Sequence, residues 1–224
     1  MRRFSESYLQ RTREGMWDDS RTALTDLDLD GRDRILDVGC GTGEFSRVLS
    51  ESSTAEVVGV DADTDLLSVA AERPRIEVVT GDATRLPFAE DSFDLVVCQA
   101  LLVNLPDPAA ALSEFARVSS DLVATVEPDN AAVGVDSTVD SEVPLERRVR
   151  DAFLDGVRTD VALGERVTDL FFRHRAVGPR NPTLPPPKTS RTAVRRVRRS
   201  ERGTESDRGR TRPSRGGPST GSQR

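Results

Sequence analysis

The sequence predicts an α/β fold with a doubly wound, mainly parallel sheet and helices on both of its faces. Five short apolar runs fit buried strands, at residues 34–38, 56–60, 76–80, 93–99 and 121–127. Helical patterns lie between most of them, at residues 44–50, 63–72 and 108–118. Such alternation is typical of parallel strands joined by right-handed crossovers, and it places ligands at the carboxyl ends of the strands.

The 224 residues suit one main core with small appendages. We expect an N-terminal helical segment over residues 1–30, interrupted near Gly15, and a central domain over residues 31–175 that closes with helices at 144–158 and 164–173. Residues 176–224 are rich in arginine and proline and contain no aromatic residue. Because such a composition buries little apolar surface, we expect this basic tail to be disordered.

Charge is divided unevenly along the chain. Residues 1–172 contain 17 arginines and 35 acidic residues, whereas residues 173–224 contain 14 arginines, one lysine and three acidic residues. An acidic, arginine-only folded part resembles halophilic proteins, although GC-rich coding gives the same arginine bias. The acidic surface disfavours nucleic acid or anionic membrane as a partner, and without interleaved aromatics the basic tail is a weak nucleic-acid candidate.

Cellular location is predicted from the cysteines and from the absence of long apolar segments. Cys40 and Cys98 are the only cysteines, too few for a disulfide framework. No apolar run reaches the length of a membrane span, and the first residues lack the apolar run of a secretion signal. We therefore expect a cytoplasmic protein; the sequence does not indicate its oligomeric state.

A glycine-rich turn follows the first predicted strand, with Gly39, Gly41 and Gly43 at every second position after Asp37. Glycines allow a tight turn and bring a ligand against bare backbone, and the following helix N-terminus attracts anionic groups. The spacing departs from the G-x-x-G ending of dinucleotide sites, since Glu44 occupies the last position and would repel a pyrophosphate. A zwitterionic amino-acid group fits better, with its ammonium at Asp37 and its carboxylate at the turn amides.

Two further acids follow the next two strands. Asp61 ends the second strand, where a carboxylate accepts two hydrogen bonds from a ribose diol. Asp82 and Ala83 follow the third strand and suit the amino edge and ring nitrogen of adenine. Three acids at three strand ends thus match the three parts of a nucleoside that bears an amino acid.

Four segments in order resemble the motifs of class I S-adenosylmethionine-dependent methyltransferases, the Rossmann-like type 11 domain in particular: ILDVGCGTGEF, VVGVDAD, GDATRLPFAEDSFDLVVCQALLVNLPDP and LSEFARV. The similarity covers roughly residues 30–130 and is greatest to small-molecule enzymes, which include quinone C-methyltransferases. It implies S-adenosylmethionine as cofactor, a small-molecule methyl acceptor, and strand order 3-2-1-4-5 followed by an antiparallel pair. The cofactor contacts that it implies are Asp37, Gly39, Gly41, Asp61, Asp82, Ala83 and Gln99.

The chain departs from this family at three places. Asn104 stands where family members often have a histidine, and the proline-glycine-glycine turn before the fifth strand is absent. No catalytic base is therefore assigned, and Asn104 is a candidate for contact with the substrate. The basic tail replaces the final strands, so we expect the last two strands to be missing. Two alternatives stay open: a catalytically inactive cofactor-binding remnant, and a nicotinamide-dependent oxidoreductase.

Overall fold

The structure is a computed structural model, and it describes residues 5, 7–9, 17, 21–128, 130, 137–157, 159–161, 163–173 and 190–196. The strands are β1 (Arg34–Val38), β2 (Glu56–Asp61), β3 (Ile76–Thr80), β4 (Phe93–Gln99), β5 (Ser119–Pro128) and β6 (Ser190–Arg196). The α-helices are α1 (Glu44–Ser52), α2 (Thr64–Ala70), α3 (Pro108–Val118), α4 (Glu142–Gly156) and α5 (Leu163–Arg173). Short 3-10 helices span Arg21–Leu27, Leu29–Gly31 and Leu102–Asn104.

All strands lie in one sheet of order β3-β2-β1-β4-β5-β6. Neighbours among the first five strands are parallel, which confirms the predicted order 3-2-1-4-5. The order reverses direction at β1, since β2 lies on one side of this strand and β4 on the other. A crevice therefore opens above the carboxyl ends of these strands, where doubly wound folds bind their ligands.

The strand β6 corrects one prediction. It pairs antiparallel with β5, from Leu122 opposite Arg196 to Pro128 opposite Ser190, so the sheet does not stop at five strands. Residues 190–196 therefore belong to the sheet and not to a disordered tail, while the rest of 176–224 lies outside the described residues. The apolar strand β5 would otherwise present an unpaired edge, and Thr192, Ala193 and Val194 form a short β-compatible run that the average composition of the tail conceals.

A double proline substitution in β6 is expected to lower the free energy of unfolding by about 1–2 kcal/mol. In an edge strand, every second backbone amide donates to the neighbouring strand. Ala193 and Val194 are consecutive, so the double substitution Ala193→Pro with Val194→Pro removes one donating amide. Urea unfolding followed by circular dichroism measures the loss. The control is Val194→Thr, which keeps the amide. Equal stability of wild type and the double variant would contradict the pairing.

The core is divided between the two faces of the sheet by strict alternation along the strands. Ile35, Val57 and Leu95 pack on the face that α1 covers with Phe45 and Leu49. The adjacent residues Leu36, Val58 and Val96 pack on the opposite face, against α3 and α5. Helices cover both faces, as the alternation of strands and helices predicts.

The helices predicted after residue 140 are present as α4 and α5. Phe171 and Val167 of α5 join the core, whereas α4 has no buried residue. Within the part of the chain that the structure describes, no helix is long and apolar enough to cross a membrane. Where the family's proline-glycine-glycine turn is absent, α3 ends at Val118 and β5 begins at Ser119 without a connecting loop.

Candidate cofactor and substrate site

Two adjoining cavities lie above the carboxyl ends of the strands, of about 350 Å³ and about 280 Å³. Four residues line both of them: Gly39, Asp61, Ala62 and Leu101. The first also touches Gly41, Gln99 and Asn104, and the second touches Asp82 and Ala83. Six of the seven predicted site residues therefore border this pair of cavities.

The glycine turn between β1 and α1 takes a backbone shape that other residues rarely adopt. Gly39, Gly41 and Gly43 have φ values of 72°, 55° and 76°. The turn is tied to β2, because the amides of Gly39 and Cys40 both donate to the carbonyl of Val60, at 2.7 and 3.1 Å. A Cβ on Gly39 would lie 2.7 Å from Leu101 Cδ1, so the backbone here is approached as closely as glycine permits.

Asp61 connects this turn to the start of α2. Its Oδ2 accepts from the amide of Gly41 at 2.9 Å, and its Oδ1 accepts from the amide of Asp63, also at 2.9 Å. A carboxylate oxygen has two lone pairs, so each oxygen retains capacity for one further donor. Asp61 borders both cavities, and the two amides fix the orientation of its carboxylate there.

Asp37 lies beneath the turn and has a different setting from the other acids. It is 1% exposed, and its Oδ2 accepts from Ser46 Oγ at 2.6 Å. Asp37 is not among the described residues that border the two cavities. The structure thus brings Asp61 and Asp82 to the cavities and places Asp37 one layer deeper, where it supports α1 against the turn.

Asp82 and Ala83 are held at the mouth of the second cavity by a local turn. Asp82 Oδ1 accepts from the amide and the hydroxyl of Thr84, at 2.8 and 2.7 Å. The hydrogen bond from the Thr84 amide lowers the pKa of the exposed Asp82 carboxyl most, and the one from the Thr84 hydroxyl lowers it further. The side chain is therefore an ionised acceptor at neutral pH.

The loop after β4 forms the wall opposite the glycine turn. Gln99 is 3% exposed, and Ala100 follows it with a φ of 50°. Asn104 Nδ2 donates to the carbonyl of Ala100 at 2.8 Å, which orients the amide of Asn104 at the edge of the first cavity. A left-handed alanine is strained by about 1–2 kcal/mol, and such strain is often found beside ligand sites.

Three residues of this site escaped the sequence analysis: Leu101, Arg73 and Glu127. Leu101 separates the cavities, and Arg73 donates through Nε to the carbonyl of Thr42 at 2.6 Å while pairing with Glu44. Glu127 is fully buried and binds the loop after β4. For Glu127 the sequence does contain a signal, because this carboxylate ends an otherwise apolar strand.

The described lining of the two cavities is strongly acidic. It includes six carboxylates and neither an arginine nor a lysine; the acids are Glu44, Asp61, Asp63, Asp65, Asp82 and Asp107. No cluster of described residues has the composition of a metal site. Such a lining favours a cationic ligand over a polyanion.

Comparison with known proteins is consistent with this geometry. A family profile described as "Methyltransferase domain" matches residues 36–121. Two demethylmenaquinone methyltransferases of Staphylococcus aureus are 42% identical over 91 residues (strain MRSA252) and 36% identical over 104 residues (strain JH9). The matches span 38% and 44% of this chain, and 38% and 43% of the relatives' own length.

Solved structures share the fold over most of the chain. A SAM-dependent methyltransferase from Aquifex aeolicus aligns with a TM-score of 0.62 at 17% identity, covering 87% of this chain and 100% of that one. Magnesium protoporphyrin IX methyltransferase from Synechocystis PCC 6803, solved with bound SAH, aligns with a TM-score of 0.55 at 17% identity, covering 89% and 90%. At these identities the likeness shows the fold, and the sequence matches cover less than half of the chain. Over residues 36–121, the chain is therefore similar in sequence to methyltransferase domains.

Proposed function

We propose that the protein transfers the methyl group of S-adenosylmethionine to a small molecule. The observation that carries the proposal is the acidic pair of cavities around a glycine turn, because S-adenosylmethionine is a sulfonium cation whereas NAD carries a pyrophosphate. Asp61 meets the ribose, Asp82 and Ala83 meet the adenine, and Gly39, Gly41 and Gln99 surround the methionine part. Asp37 acts from below the turn, through its charge and its bond to Ser46.

The cofactor fits the residues that are present. Both oxygens of Asp61 are aligned by backbone amides and retain acceptor capacity, and Gly39 presents bare backbone to both cavities. The bound cofactor would supply an electrophilic methyl group on a positively charged sulfur. The chain's own part is to align the acceptor, and orientation alone can lower a barrier by several kcal/mol.

The methyl acceptor is proposed to be an uncharged or cationic small molecule. An anionic acceptor would enter a cavity that Asp61, Asp63 and Asp65 already make negative. We propose that Asn104 contacts the acceptor, because this residue borders the first cavity. Its side-chain nitrogen donates to the carbonyl of Ala100, and this bond holds the side chain in position. The names of the Staphylococcus aureus relatives make quinols the first acceptors to test.

Calorimetric titration of the full chain tests the cofactor. S-adenosylmethionine and S-adenosylhomocysteine are expected to bind, and NAD is not; tight binding of NAD alone would favour the oxidoreductase alternative instead. Turnover is tested by accumulation of S-adenosylhomocysteine with quinols, phenols and amines. Binding without turnover across this panel would favour the inactive remnant.

A cytoplasmic, high-salt setting is proposed from composition and from the cysteines. Both cysteines are free and buried, as in a reducing compartment. The melting temperature is expected to rise between 0.1 and 1 M KCl, because screening weakens repulsion among carboxylates, and each kcal/mol gained adds about 2–4 °C for a protein of this size. Thermal scans across KCl concentrations measure the effect. Screening saturates when the Debye length falls to about 3 Å near 1 M, so a linear rise beyond that would indicate salting-out instead.

A further inference from the structure

We infer that Glu127 is a positioning residue, whose buried carboxylate holds the loop after β4 and thereby places the wall that the two cavities share. The inference rests on the proposed function only in taking S-adenosylhomocysteine as its binding probe. Glu127 lies at the end of β5 with no exposed surface, and it is not among the described residues that border either cavity.

The carboxylate of Glu127 collects three successive backbone amides. Oε1 accepts from Leu101 at 3.1 Å and from Leu102 at 3.0 Å, and Oε2 accepts from Val103 at 3.2 Å. The thiol of Cys98 also donates to Oε1, at 3.6 Å. These bonds satisfy the first amides of the 3-10 helix Leu102–Asn104, so the loop conformation depends on an acceptor at both oxygens.

The loop connects Glu127 to the cavities through one side chain. Leu101 is 5% exposed and borders both cavities. Its Cδ1 lies only 2.7 Å from the position that a Cβ on residue 39 would take. At the far end of the loop, Asn104 borders the first cavity. A shift of the Leu101–Val103 backbone therefore moves the cavity wall against the glycine turn.

Protonation changes what Glu127 can accept. Burial raises its pKa to about 7, although the three amides and the Cys98 thiol each lower it in part. A protonated Oε2 keeps one lone pair for the amide of Val103 but has lost its negative charge, so this hydrogen bond is weakened. A glutamine at this position lacks the charge at every pH, and one end of its side chain is an NH₂ group, which cannot accept from an amide.

Four elements around Glu127 carry charged or titratable residues: β4, β1, β6 and α5. Burial raises the pKa of the Cys98 thiol on β4, and the carboxylate of Glu127 and then Asp37 on β1 raise it further. On β6, Arg191 is the register partner of Glu127. The charged residues of α5 with described side chains, Arg166 and Asp169, are exposed.

Ionisation of Glu127 has opposite effects on the stability of the fold and on the placement of the loop. A carboxyl whose pKa is raised on folding contributes stability below its unfolded pKa, near 4.5, and this contribution is lost as the pH rises through about 7. The ionised form that accepts all three amides is thus retained at some cost to stability. Such a cost is typical of a group that serves a site.

The test compares wild type with Glu127→Gln at pH 6, 7 and 8, by titration with S-adenosylhomocysteine and by hydrogen exchange of the Val103 amide, corrected for intrinsic exchange. In wild type we expect affinity and protection to fall together, by about fivefold or more, from pH 8 to pH 6. In Glu127→Gln both should stay at the low level at all three values. Glu56→Gln, an exposed residue paired with Arg34 at the start of β2, is the matched control and should follow wild type.

Each outcome has one meaning. Wild-type profiles that are flat, or a Glu127→Gln profile that follows wild type, would overturn the role of Glu127. If wild type fails to bind S-adenosylhomocysteine at any pH, the proposed function fails, while Val103 exchange still decides the positioning role. Should Glu127→Gln not fold, the wild-type profile of Val103 exchange alone gives the answer.

Discussion

Replacing Asp61 by alanine is expected to weaken S-adenosylhomocysteine binding by about 100- to 10,000-fold. Hydrogen bonds to a charged acceptor contribute about 1.5–3 kcal/mol each, and a ribose diol would make two of them. The substitution also leaves the amides of Gly41 and Asp63 without their acceptor, which loosens the turn and the start of α2. Asp61→Asn keeps the shape and one acceptor oxygen, so we expect an intermediate loss of about tenfold.

Asp65→Ala separates charge from hydrogen bonding in this experiment. Asp65 borders the same cavity and is exposed, so its removal takes away one negative charge without disturbing the turn. We expect less than a threefold loss, measured by the same calorimetric titration, with circular dichroism to verify that each variant is folded. If Asp65→Ala costs as much affinity as Asp61→Ala, the site would act only through its overall charge, and the ribose contact would be wrong.

The parallel part of the fold could be predicted from the sequence because its signals are local. Each of β1 to β5 is a short apolar run, and buried parallel strands must be apolar on both faces. Asp61 was predictable for a similar reason: an acid directly after such a run has to lie at the carboxyl edge of the sheet. In the folded protein, Asp61 Oδ2 lies 2.9 Å from the amide nitrogen of Gly41, which is 20 positions earlier in the chain.

The features that escaped prediction depend on contacts between distant segments. Glu127 binds amides 24 to 26 residues away, and nothing around it in the sequence marks those partners. The strand β6 forms because β5 offers an edge, a property of the sheet and not of residues 190–196 alone. Asp37 follows the expected pattern in sequence, yet Ser46 on the next helix engages it beneath the turn.

Valine at position 39 is expected to abolish S-adenosylhomocysteine binding and to lower the free energy of unfolding by about 2–5 kcal/mol. Gly39 has a φ of 72°, where a β-branched residue is strongly disfavoured. The new Cβ would also lie 2.7 Å from Leu101 Cδ1, on a side chain with little room to withdraw because Glu127 holds its backbone. Either the turn or the loop after β4 must then move, and both border the two cavities.

The double variant Gly39→Ala with Leu101→Ala distinguishes the steric cause from the conformational one. Removing the leucine side chain relieves the contact and leaves the positive φ, but it also costs core packing, because Leu101 is buried. Gly39→Ala should therefore cost less stability in the Leu101→Ala protein than in wild type, but still more than zero. Gly156→Val is the control for a glycine-to-valine change, since a Cβ there meets nothing within 4 Å. Urea unfolding and calorimetry compare all of these variants with wild type. Wild-type affinity in Gly39→Val would show that the ligand does not approach this turn, because a branched side chain cannot share the space with it.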